Sequence, residues 1–338
     1  MLSGPTLVYF ILACLCVFGS EGLRAADVGL RRRLVGGVDI QSGQYPFIVD
    51  VFVSTDGQRR QCLGTLVEPT AVLTTAQCMM DIKGQVRTDL RVEVVVGSTE
   101  DLPTIEGTHV RVQNYTIHPN YTANALANNL AVVYLVDAAP LSKTVGTVKV
   151  YNELADEGHV ATVVGANPAS TSAGHSPGTL QAAEFSVGTV VQCQSLVGNY
   201  YTNGPILCAP TKPSNDLCEH DGGAPLLINQ DSAWYLSGFM SGKAYNSTNT
   251  ACGQPGGLAY FTRVAYYLPW LTTDGRLTAK DVTFGTGGEP AAPPANVTTT
   301  DDTIASPVST GGTSPRNSGP ITGALLLLTL TLLVTRTT

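Results

Sequence analysis

Between Phe47 and Val264 the apolar residues come in short runs and never in a long helical period, and this cadence restricts the fold more than any other feature of the chain. Phe47–Val53, Leu90–Val96, Leu130–Val136, His159–Val164 and Tyr235–Met240 are rich in Val, Leu, Tyr or Thr and are separated by turn residues. Runs of roughly four to eight such residues suit strands, where side chains alternate between two faces and branched or aromatic groups pack on the pleat. An all-β barrel or sandwich is therefore expected. Only Val264–Leu271, around Tyr266, Tyr267 and Trp270, reads as a closing helix, and Pro269 sits awkwardly within it.

Composition narrows the function. The 338 residues are 43% hydrophobic, ample for a buried core, and a net charge of −7 offers nucleic acid no basic surface. Leu7–Phe18 is almost wholly apolar and leads into Gly19, Ser20 and Gly22, so residues 1–22 read as a secretory signal peptide, although no Lys or Arg precedes the apolar run. Of eight cysteines, Cys14 and Cys16 leave with that segment. The remainder is an even set in an oxidising compartment, where disulfides are the expectation.

Leu23–Arg33 ends in Arg31-Arg32-Arg33 and reads either as a short propeptide or as a solvated basic run. Beyond Leu271 the composition shifts to Thr, Gly, Pro, Ala and Ser, and residues 273–319 read as a solvated stalk. Ile321–Val334 is apolar for about 14 residues, short of the roughly 17–25 of a spanning helix. The small-residue triplets Gly311-Gly312-Thr313 and Asn317-Ser318-Gly319 stand upstream of it. Residues 320–338 thus read as a glycolipid (GPI) attachment signal, with a short transmembrane helix as the alternative. Asn114, Asn120, Asn246 and Asn296 head N-glycosylation sequons. The expected location is the secretory pathway, with the protein anchored by lipid at the extracellular face of the plasma membrane, or secreted.

Four blocks carry a resemblance. Cys218-Glu219-His220-Asp221-Gly222-Gly223-Ala224-Pro225-Leu226 has the outline of a nucleophile loop. Leu73-Thr74-Thr75-Ala76-Gln77-Cys78, then Ile117-His118-Pro119-Asn120-Tyr121 with Asn128-Asn129-Leu130-Ala131-Val132, and finally Leu34-Val35-Gly36-Gly37, complete the set. Together they resemble the trypsin-like (chymotrypsin-fold) serine proteases from about Leu34 to Leu271. The resemblance implies a domain over residues 34–272, built as a double six-stranded antiparallel β-barrel with a short C-terminal helix. It also implies the disulfides Cys62–Cys78, Cys193–Cys208 and Cys218–Cys252, a pairing that the sequence alone leaves open.

Aligned on those blocks, Gly222 stands at the serine, Gln77 at the histidine and Asn129 at the aspartate of the family's triad, and His220 replaces a glycine of the oxyanion hole. Triad chemistry needs an oxygen nucleophile, a base that titrates near neutrality and an anion to orient that base. All three are absent, and in triad enzymes loss of the serine or histidine alone costs about 10⁶-fold in turnover. The chain is therefore expected not to be an enzyme but a protein-binding module, as are non-catalytic members of the family, some of which inhibit another secreted enzyme. Two alternatives remain: a trypsin-like endopeptidase with relocated catalysis through His118 or His220, and a structural cell-surface glycoprotein. No His, Cys or Glu cluster has metal-ligand spacing, and no cofactor is expected.

The resemblance extends to two further features. Cleavage after Arg33 would free the amine of Leu34 to pair with Asp221, unless Asp221 only hydrogen-bonds its own loop. Asp216, six residues before Gly222, falls at the floor of a specificity pocket that takes basic side chains. Lys243 and Ala259 fall near glycines of the pocket wall. The pocket is either open to a basic residue or plugged by Lys243.

Overall fold

The computed structural model describes residues 34–283, apart from 56–57, 82–84, 86–89, 99–106, 124, 154, 156, 167–178, 196, 199, 219–220 and 246–253. Six strands close the first barrel: β2 (Ile48–Thr55), β3 (Gln58–Glu68), β4 (Ala71–Thr74), β5 (Arg91–Val96), β6 (Thr108–Ile117) and β7 (Ala131–Leu135). The ring runs β2-β3-β4-β7-β6-β5, antiparallel throughout. Its interior follows the two-residue period of a strand, with Val49, Val51 and Val53 turned inward against Leu66, Val72, Val94, Val96 and Val133. Gly64 leaves that space free. A Cβ there would stand 2.7 Å from the Val72 side chain and 2.8 Å from that of Val51.

The second half is a sheet of eight strands. Its path is β1 (Val38–Asp39), β10 (Leu180–Ser186), β9 (Val160–Ala166), β12 (Pro225–Gln230), β13 (Ala233–Tyr245), β14 (Gly257–Arg263) and β11 (Ile206–Pro210). The short β8 (Lys149–Val150) adds in parallel to β13. Where two six-stranded barrels are expected, only the first closes by ladders; the second is an eight-stranded sheet. Just past β10, the Gly188 amide donates to the Cys208 carbonyl of β11 at 2.8 Å, and the Cys193–Cys208 disulfide ties the helical turn Val190–Gln194 to the same strand. Cys62 and Cys78 are joined likewise in the first half.

One large apolar core binds the halves. Ile48, Leu63, Leu73, Leu130 and Val132, on the outer face of the first barrel, pack with Leu226, Ile228, Phe239, Phe261 and Trp270 of the second half. The expected closing helix is split in two, a 3₁₀ turn at Val264–Tyr267 followed by an α-turn at Leu268–Thr272. Pro269 falls in the first turn of the latter, where its missing N–H has no partner to lose. Residues 273–283 were expected to open the stalk, but they belong to the packed body. Leu277 and Val282 are buried in the large core, and the Thr278 amide donates to Glu68 Oε1 at 2.7 Å. The rest of the expected stalk, the signal peptide, the propeptide and the C-terminal signal lie outside the described residues.

Candidate functional site

The loop before β12 is held from both halves of the molecule. Asp221 is buried and accepts the Cys218 amide on Oδ2 at 2.8 Å, while its carbonyl accepts the Ala224 amide at 2.9 Å. Gly223 has φ of +82°, a region that disfavours any side chain, and a Cβ there would fall 2.1 Å from the Leu63 carbonyl of β3. Gly222 beside it accepts the Leu63 amide at 3.3 Å, and a Cβ on Gly222 would meet nothing within 4 Å. The place of a side chain is therefore open at Gly222 and closed at Gly223.

β4 and β7 bring the other two positions to the same edge. Thr74 ends β4, pairs with Ala131 of β7 and lies 3.0 Å from the Cβ position of Gly223. Gln77 follows three residues later on the 3₁₀ turn Ala76–Met79, with its side chain exposed. Asn129 immediately precedes β7 and is 1% exposed; its Oδ1 accepts the Gln77 main-chain amide at 2.9 Å. Thr262 Oγ1 donates to the Asn129 carbonyl at 3.2 Å, and Thr262 is itself bonded to Ser241. Asn129 Nδ2 is buried without a hydrogen-bond partner among the described residues. The chemistry gathered here is amide chemistry. Gly222 offers no atom to attack with, Gln77 does not titrate and Asn129 carries no charge.

Below this edge, Asp216 is fully buried, and its main chain exchanges two hydrogen bonds with Val35, at 2.7 and 3.2 Å. Lys243 Nζ donates to Asp216 Oδ1 and to the Leu217 carbonyl, and lies 4.6 Å from the centre of the Tyr245 ring. The Lys243 and Asp216 side chains are 8% and 0% exposed. Ala259 is buried opposite, paired in register with Lys243. Neither Leu217 nor Tyr245 was anticipated as part of this arrangement. No motif announces them, since one contributes a carbonyl and the other a ring face.

Leu34 is buried beside Asp221. A Cβ built on Gly165 would touch Leu34 Cβ at 3.2 Å and Asp221 Oδ1 at 2.8 Å, so the two flank one point. His118, the alternative base, packs its ring against Tyr267 and Trp270 at centroid distances of 5.1 and 4.9 Å. Burial lowers its pKa, partly offset by Asp274. Asn114 and Asn120 are exposed, as glycan attachment requires. Cys218 is disulfide-bonded, and its expected partner Cys252 lies outside the described residues, as do Arg33, His220, Asn246 and Asn296. Among the described residues no group of His, Cys, Asp and Glu is placed to hold a metal.

A closed six-stranded barrel set against a second β-sheet, with a glycine-rich loop docked across the seam between them, defines the chymotrypsin-like fold class. Within that class the match is to one family: the Trypsin family model covers residues 34–271, and the chain belongs to that family. Among curated relatives, Brachyurin of Leptuca pugilator is 28% identical over 250 residues, covering 72% of this chain and 100% of the relative. Granzyme F of Mus musculus is 25% identical over 249 residues, covering 72% of this chain and 92% of the relative.

Proposed function

We propose that this chain is a catalytically silent member of the trypsin family that acts as a protein-binding module, held at the extracellular face of the cell by a lipid anchor or secreted. One observation carries the reading. Gln77, with its side chain exposed and its main-chain amide bonded to Asn129 Oδ1, together with Asn129 and the side-chain-free Gly222, supplies no nucleophile, no base and no anion. Such a site lacks every group that makes triad chemistry fast, and what binding and backbone donors alone provide is about 10³–10⁴ over water. The open space at Gly222 is then surface for contact rather than for reaction. The N-terminal apolar run, the sequons and the C-terminal tail support an extracellular, anchored location.

The test is direct. Purified protein, cut after Arg33, is incubated with a fluorophosphonate probe and with ester and amide substrates bearing Arg, Lys, Phe or Ala at the cleavage point. No labelling and no turnover above buffer are expected. Labelling that survives affinity repurification refutes the proposal.

A further inference from the structure

We propose that Lys243 is a resident occupant of the cation pocket over Asp216: the protein fills with its own side chain a site whose chemistry suits an alkylammonium, amidinium or guanidinium ligand. The ladder to Val35 fixes the main chain of Asp216, so the carboxylate has little freedom to turn away. Lys243 enters from β13, where the register shift between Met240 and Gly242 sets which face each following residue takes. Its ammonium finds the Asp216 carboxylate, the Leu217 carbonyl and the Tyr245 ring. These satisfy a cation that is 8% exposed and would otherwise be costly to bury.

A tethered occupant has a large advantage over a free one. Because its arrival is intramolecular, it competes at an effective concentration that a dissolved ligand rarely matches. A basic side chain or small amidine must displace Lys243 and leave that ammonium to find other partners. The proposal goes beyond catalytic silence, since an active enzyme and an inactive one are both able to carry such a plug. Probe labelling reports the one and pocket binding the other, so the two fail separately.

Benzamidine is the probe, titrated against the wild-type chain, Lys243→Gly and Asp216→Asn/Lys243→Gly, with calorimetry and melting temperature as readouts. Lys243→Gly is expected to bind at least about 100-fold more tightly than the wild type. Its Tm is expected to rise by about 5 °C or more when benzamidine exceeds its Kd by ~100-fold, with no rise in the double variant. Wild-type binding as tight as that of Lys243→Gly overturns the proposal, as does a folded Lys243→Gly that binds no better. If Lys243→Gly does not fold, amine footprinting of the wild type decides. Lys243 is expected to resist acetylation while the exposed Lys143, Lys149 and Lys212 react, and acetylation of Lys243 at their rate overturns the proposal.

Discussion

Val35 and Asp216 exchange both of their main-chain hydrogen bonds, at 2.7 and 3.2 Å, so the start of the trypsin-family domain is stitched to the segment that carries the buried Asp216 carboxylate. The stitch demands glycine at its next residue. Gly36 has φ of +80°, and a Cβ there would fall 1.8 Å from the Ser214 carbonyl. Gly36→Ala is expected to destabilise the protein by about 2–4 kcal/mol in urea unfolding, through backbone strain and the displaced Ser214 loop. A loss below ~0.5 kcal/mol would show that this segment is not docked in solution.

Processing bears on the same segment. The buried Leu34 flanks the same point as Asp221, which favours a mature chain beginning at Leu34 with its amine against that carboxylate. N-terminal sequencing of surface-released protein is expected to start at Leu34. Processed protein is also expected to melt above an Arg33→Gln form, because the freed amine would add an opposite charge beside the buried Asp221 carboxylate. Equal melting temperatures would rule the pairing out.

Restoring the serine alone should restore nothing. The space at Gly222 accepts a side chain, so Gly222→Ser is expected to change stability by less than about 1 kcal/mol and to yield no turnover. Gln77→His/Gly222→Ser still lacks the anion that fixes the base's tautomer. Further addition of Asn129→Asp is expected to raise turnover by about 10⁴-fold. If the double and triple variants turn over substrate equally, Asn129 is not at the orienting position.

His118 gives the pH dependence a sign. Burial holds its pKa below the usual value, and its Nδ1 accepts the Asn120 amide at 3.3 Å, a bond that only the neutral ring accepts. The unfolded chain therefore takes up the proton first as pH falls. This contribution is intact above the unfolded pKa of about 6.5 and is lost as pH drops from there towards the folded value. His118→Phe is expected to flatten the stability profile between about pH 7 and pH 5. An unchanged profile would mean that the ring is solvated.

The Cys193–Cys208 bridge joins residues 15 apart and ties the helical turn Val190–Gln194 to β11, the last strand of the second sheet. Cys193→Ala/Cys208→Ala is expected to cost about 3 kcal/mol in chemical denaturation. Loss of less than ~1 kcal/mol would place this tie in the Gly188–Cys208 hydrogen bond and the apolar core.

Much of the body was legible because strand-forming runs and turn residues repeat at short range. The strand Ala131–Leu135 falls within the run Leu130–Val136, and Ile48–Thr55 overlaps the run Phe47–Val53 and extends two residues past it. Other features depend on contacts that no local pattern encodes. The parallel pairing of Lys149–Val150 with β13 joins segments far apart in the chain. The return of Leu277 and Val282 to the core rests on two apolar residues in a stretch otherwise rich in Thr, Asp and Gly. The direction of Lys243 could not be counted from Ser241, because a bulge between Met240 and Gly242 shifts the alternation by one, and one residue exchanges the faces of a strand. The block spacing singles out Gln77, Asn129 and Gly222, whereas the bond from the Gln77 amide to Asn129 Oδ1 is visible only in the structure.

Gly223 pressed against the Leu63 carbonyl has a mechanical consequence. With Gly222 bonded to Leu63 and the apolar core running continuously beneath, the loop rivets one half of the molecule to the other. The described residues on the two sides of this contact are thus held at a set separation. On the proposed reading as a binding module, a partner would have to arrive already shaped to fit the surface they present. Association with such a surface would then be limited by diffusion and orientation, at about 10⁵–10⁷ M⁻¹s⁻¹, and differences among partners would be expressed in how slowly they leave.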